Sequence, residues 1–281
     1  DATGNLHITV NGSSATTDIL NPQSWVTDNG GTITINDSLL LSDGVTLTLD
    51  TDSDNDSAGG AVSVTGNIQG DGGQNENLVV DAGDGTVTLG DATTDVINGT
   101  GVLRFGDVTI DTTGGVTIHG TVTGDAVTIG ATKTPGSVQF NETLDLDDNL
   151  AITVAATGTI TFSTETDLTT SSGGTVDLNS AGAGGSVTIN DTAAAQWDID
   201  GAFDIDGNFA NVNLGENIRT SGDVIGIASP TTLTEDISLV TTNGVAAGAN
   251  INLAAVTATS AAPNAETLTL DAGTDGDITV S

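Results

Sequence analysis

Apolar residues alternate with Thr, Ser, Asn or Asp in short runs along nearly the whole chain, and each run stops at Gly, Asp or Asn. The stretch GGVTIHGTVTGDAVTIGA, residues 114–131, starts and stops this pattern three times. A period of two puts successive side chains on opposite faces of an extended strand, and β-branched residues suit that conformation. HITV, TITIND, VTLTLD, AVSVTG, NLVVDA, TVTLGD, DVTIDT, SVQFNE, AITVAA, TITFST, TVDLNS, SVTIND, WDID, FDIDG, ANVNL, ISLVTT, INLAAV, LTLDAG and DITVS all read as strands. No stretch keeps apolar residues at helical spacing for more than about two turns, and Gly interrupts nearly every window, so no helix is predicted.

The runs also resemble one another. LVVDAGDGTVTLGD from Leu78 and LTLDAGTDGDITVS from Leu268 are near copies. One strand and one turn cannot bury an apolar face alone, but stacked copies can. Two architectures fit: tandem antiparallel β-sandwich modules, or a parallel β-helix whose coils lie about 4.8 Å apart. Sandwiches commonly hold a buried Trp or Tyr between longer strands. This chain has no Tyr and only Trp25 and Trp197, so the β-solenoid is the expected fold and the sandwich the alternative. In VTIHG and AVTIG, Val and Ile are predicted to point inward and Thr117 and Thr128 outward, with Gly turning the corner. The stretches 52–60, 131–137, 228–232 and 259–266 read as loops leaving the coil. Residues 1–70 are less regular and are expected to form an irregular capping region, with a repeat-built solenoid over 71–281. LTLDAGTDGDITVS stops inside a repeat, so the solenoid is expected to continue past Ser281.

Composition sharpens this picture. Hydrophobic residues are 36% of the chain but aromatics only 2%, which suits thin aliphatic layers. Against 38 acidic residues stand Arg104, Lys133 and Arg219, for a formal net charge of −35. Such a chain repels polyanions, so nucleic acid and anionic membrane surfaces are disfavoured partners, while divalent cations, high salt and basic proteins are favoured. High charge with few aromatics also marks disorder, but a disordered tail does not need regular alternation. Cys is absent, which rules out disulfides and thiolate metal sites and is compatible with export. No apolar run is long enough to span a bilayer. Met is absent even at position 1, which reads as a processed or excised piece.

Candidate chemistry is acidic. LTLDTDSDNDSAGG places Asp50, Asp52, Asp54 and Asp56 at alternate positions, and hard oxygen ligands suit calcium or magnesium. An EF-hand loop would need Gly and Glu where Ser57 and Ser63 stand, so a solvated acidic loop is the competing reading. WDIDGAFDIDGNFA alternates Trp197, Ile199, Phe203 and Ile205 with Asp198, Asp200, Asp204 and Asp206, which predicts rings inside and acids outside. Two carboxylates about 5 Å apart repel by about 0.8 kcal/mol in water, and many such pairs predict stabilisation by divalent ions or salt. GDGGQNEN approaches a calcium-binding glycine-rich repeat but lacks its aspartate. His7 and His119 read as surface residues, and the sequons at Asn11, Asn36, Asn55, Asn98, Asn141 and Asn190 as products of composition. Lyase chemistry on a β-helix needs a basic residue beside calcium, and the three basic residues are unclustered. A hydrolase would use a pair such as Asp147 and Asp148, but LDLDDN has no aromatic platform beside it. The chain therefore reads as no enzyme, with no organic cofactor. A Thr-x-Thr face, as in TVTL, is similar to an ice-binding ladder, but its spacing is uneven.

The LTLDAG and VTIDTTGGVTIHGTVTG units resemble the repeats of large bacterial exoproteins of the filamentous haemagglutinin and autotransporter type, including giant β-strand-repeat surface proteins. The resemblance runs from about Asn77 onward. It implies a right-handed parallel β-helix, secretion to the cell surface, and adhesive, matrix or surface-layer roles. The expected function is a non-catalytic extracellular structural or adhesive module, an acidic rigid rod within a surface layer, sheath, stalk or filament. Its expected partners are further copies, head-to-tail or lateral and aided by divalent cations, with cell-surface glycans or other surface proteins besides. The alternatives are a polysaccharide-active β-helix enzyme and an ice- or glycan-binding adhesin segment.

Overall fold

The computed structural model describes residues 8–10, 16–27, 29–56, 58–73, 75–99, 104–190, 196–259 and 266–281. His7 and Asn11 lie outside the described residues. The described chain is all-β, with 33 strands of three to five residues and no helix. It divides into two compact units, Asp1–Thr143 and Leu144–Ser281. Strands pair in parallel throughout each unit, as a β-solenoid requires and antiparallel sandwich modules do not allow.

Each coil gives one strand to each of three sheets. In the first unit, the first sheet stacks Ile33–Ile35, Val62–Val64, Val87–Leu89, Gly115–Ile118 and Ser137–Phe140, the second includes Leu39–Leu41, Ile68–Gly70 and Val96–Gly99, and the third includes Thr46–Asp50, Asn77–Asp81 and Val108–Asp111. The second unit repeats the plan. Residues 33–50 and 62–70, within the segment read as irregular, join these ladders in the same register as later coils. Trp25 pairs in register with Leu49 and is half-buried.

Parallel register stacks like on like. Leu47, Leu78, Val108 and Val127 form one inward column, and Leu49, Val80, Ile110 and Ile129 the next. All eight are buried. Each aliphatic side chain taken out of water contributes about 1.5–3 kcal/mol, so the core is a sum of thin layers rather than one thick centre. Aromatics gather where a coil has room: in the second unit Trp197 meets Phe162 edge-on at 4.7 Å and Phe203 at 6.2 Å. The Trp197 indole N–H donates to the Thr166 carbonyl at 3.2 Å, so its one polar atom is satisfied in the core.

Corners are built from buried hydroxyls and close backbone approach. Thr51 Oγ1 donates to the Gly60 carbonyl at 2.7 Å, and Thr112 Oγ1 to the Gly85 carbonyl at 2.5 Å. Gly60, Gly85 and Gly114 stack at this corner so tightly that a Cβ on each would collide with the carbonyl oxygen of the coil before it. Of the loops read from sequence, 228–232 is shorter than expected. Thr231 and Thr232 open the strand Thr231–Leu233, and Pro230, which has no N–H to give, still accepts from Val212 N at 2.8 Å. Gly85→Ala is expected to destabilise the first unit by about 1–3 kcal/mol through overpacking, read as a lower denaturation midpoint by circular dichroism.

Candidate functional site

The third sheet of the first unit ends in an aspartate ladder. Asp50, Asp81 and Asp111 are register partners in successive coils, each pointing outward just before a corner. The loop after the strand Val127–Ile129 bends back over this ladder. Asp111 Oδ1 accepts the Thr132 N–H at 2.9 Å, and the Lys133 ammonium reaches past that coil to Asp81 Oδ1 and to Asp52 Oδ2 at 2.7 Å. The Asp52 side chain is 0% exposed and that of Lys133 only 14%, so this ion pair is largely withdrawn from water. Asp52 also donates its backbone N–H to Asp50 Oδ1 at 2.9 Å.

The four-aspartate run is therefore divided. Asp50 belongs to the ladder, while Asp52, Asp54 and Asp56 each present one carboxylate oxygen within 4.8 Å of the others. Three hard oxygens suit calcium or magnesium in kind, with waters needed to complete six or more ligands. Asp54 and Asp56 are exposed, and they accept the N–H groups of Asp56 and Ala58 at 3.2 and 2.8 Å. Asp52 is shared with Lys133, so an ammonium and a divalent ion would compete for it.

The second set is not one site. Asp198, on the second sheet, makes a bidentate pair with Arg219 one coil on, at 2.5 and 2.6 Å. Asp200 accepts the Gly173 N–H at 2.7 Å. Asp204, on the third sheet, stacks on Asp177, and Asp206 accepts the Asn208 N–H at 2.9 Å. The next residue in that outward column is Gly226, and beside it runs a groove of about 300 Å³ lined by Asp204, Asn252 and Thr279. His119 Nδ1 accepts from the Asn141 amide at 3.0 Å on the outer face of the first sheet.

Sequence reading missed Asp81, Asp111, Asp177, Lys133 and Glu76. A signal for the first two was present, since LTLD, LVVD and VTID all end a third-sheet strand in Asp. Glu76, from GDGGQNEN, is fully buried, and its Oε1 accepts the Gly72 N–H at 2.7 Å. Its carboxylate fills the space that a side chain on inward-facing Gly70 would take.

Electrostatics follow from these placements. Burial opposes the Lys133 charge, but hydrogen bonds to Asp52 and Asp81 and their charges outweigh it and hold the ammonium above its usual 10.5. The bridge's contribution is thus complete at neutral pH and is lost only as the pH climbs past that raised value. Asp50 is raised above 3.8, first by burial and then by Asp81 and Asp52, against the Asp52 N–H and Lys133. Asp204 is raised by burial, then by Asp177 and Asp206. A carboxylate with a raised pKa favours unfolding when ionised, and that cost fades as the pH falls through its folded value. Lys133→Met is expected to lower stability at neutral pH by about 2 kcal/mol, because Asp52 and Asp81 are left uncompensated. The loss should appear as a shifted urea midpoint and should vanish in strongly alkaline buffer. Asp204→Asn is expected to raise stability at neutral pH by less than about 1 kcal/mol. Thermal melts should show that gain shrinking as the pH approaches 3.8.

No protein-family model, curated protein or solved structure matches this chain.

Proposed function

We propose that the chain is a non-catalytic structural module of a cell surface, working outside the cell in a layer, sheath, stalk or filament, and that it assembles with further copies of itself. One observation carries this reading. Within each unit every coil repeats the one before in parallel register, which stacks aliphatics inward and sets acids in outward columns such as Asp50, Asp81 and Asp111. A stack of like coils carries the same ladders along its length, so a second copy can match them and the assembly can grow by repetition.

The charge of −35 opposes that growth, and cations relieve it. Asp52, Asp54 and Asp56 are the residues that would take calcium or magnesium, with Asp204 and Asp206 available for looser association. The likeness of the repeats to large bacterial exoproteins supports the surface location and the adhesive or surface-layer role, and a β-solenoid is the fold that likeness implies. The engagement of Asp198 by Arg219, and of Asp52 and Asp81 by Lys133, favours a structural use of these carboxylates over a catalytic one.

Light scattering tests this directly. The mass is expected to rise with calcium and to fall back with a chelator. A wild-type chain that remains monomeric with calcium and with chelator overturns the proposal.

A further inference from the structure

Charge is distributed unequally over the three sheets. Second-sheet strands carry Asp18, Asp145, Asp198, Arg219 and Asp271, and third-sheet strands carry Asp50, Asp81, Asp111, Asp177 and Asp204. No first-sheet strand of either unit contains Asp, Glu, Lys or Arg. In the second unit one outward column is Thr161, Thr188, Asn213, Thr232 and Thr257, one above another in register, with Thr159, Ser186 and Asn211 beside it. In a chain with 38 acidic residues, this is a neutral face on a polyanion.

The face is also largely self-satisfied. Asn213 Nδ2 donates to Thr188 Oγ1 at 3.3 Å and Asn211 Nδ2 to Asn213 Oδ1 at 2.7 Å. Thr232 Oγ1 donates to Asn211 Oδ1 at 3.0 Å and lies 3.3 Å from Thr257 Oγ1. Covering groups that already bond to one another leaves few of them orphaned, so the desolvation cost is low. Phe162, the aromatic residue in these strands, points inward, so the face offers no ring on which a sugar could stack. A charged ligand finds no opposite charge there. An uncharged ladder with the same spacing fits it, and another copy of this chain carries one. Short polar side chains of two such sheets can interdigitate at a separation of about 10 Å. That approach leaves the carboxylates of both copies at the rim, where salt screens them.

We propose that the uncharged outer face of the first sheet in the Leu144–Ser281 unit docks side by side against the same face of a second copy. This rests on the self-assembly reading above and deepens it by naming a lateral surface. Sedimentation velocity of the whole chain tests it. Wild-type dimers are expected to increase between about 0.02 M and about 0.5 M salt as the Debye length shortens. Asn213→Asp and Asn213→Lys, at the middle strand of the face, are each expected to weaken the dimer by about tenfold or more, and a mixture of the two to restore it. Asn213→Gln should keep it. If the charged variants lose their circular dichroism signal, the pair Thr232→Asp and Thr232→Lys on the next strand replaces them. The proposal is overturned by charged variants that dimerise like wild type, by a mixture no better than its components, or by wild type that is monomeric at every salt. Calcium-dependent association that the charged variants keep in full would overturn this surface while sparing the scaffold reading. Retention of a monomer on a neutral glucan column, lost in Asn213→Asp, would assign the face to sugar instead.

Discussion

In-register parallel pairing puts every side chain about 4.8 Å from its counterpart in the next coil, and the rest of this structure follows from that spacing. For aliphatics the constraint is favourable, since Val over Leu over Ile excludes water layer after layer. For corners it is restrictive, because where backbones converge, as at Gly60, Gly85 and Gly114, no side chain fits between successive coils. For acids it is unfavourable, because it sets carboxylate above carboxylate, as in the column of Asp50, Asp81 and Asp111.

A chain with three basic residues has few ways to answer that repulsion. Lys133 serves a buried aspartate and a ladder aspartate together, and Arg219 closes both oxygens of Asp198. Elsewhere backbone N–H groups at corners take the carboxylates, as Gly173 does for Asp200. Keeping the first sheet free of charge limits the number of acid columns to two sheets and the corners.

Much of the fold was legible in the alternation. First- and third-sheet strands such as Val87–Leu89 and Asn77–Asp81 have clear inward and outward positions. Second-sheet strands such as Ile68–Gly70 and Val96–Gly99 were not read, because they are brief and turn glycine inward. The space beside Gly70 is filled from a loop by Glu76, and that beside Gly124 by Phe105 and the Gly106 carbonyl, which a local pattern cannot show. In the candidate site, the proximity of Asp52, Asp54 and Asp56 followed from their spacing. The divergence of Asp50 did not, because its neighbours Asp81 and Asp111 come from later coils. Nor did the partition of Asp198 from Asp204, since WDIDGAFDIDG turns from the second sheet to the third between them.

Coils in a solenoid touch only their immediate neighbours, so a stack pulled from one end should peel one turn at a time. Lys133 departs from that rule. It follows the strand Val127–Ile129, yet its ammonium reaches over the coil of Asp111 to Asp81 and Asp52, 52 and 81 positions earlier. The four coils from Thr46–Asp50 to Val127–Ile129 must then give way together rather than in succession, which makes this lysine a mechanical rivet across them.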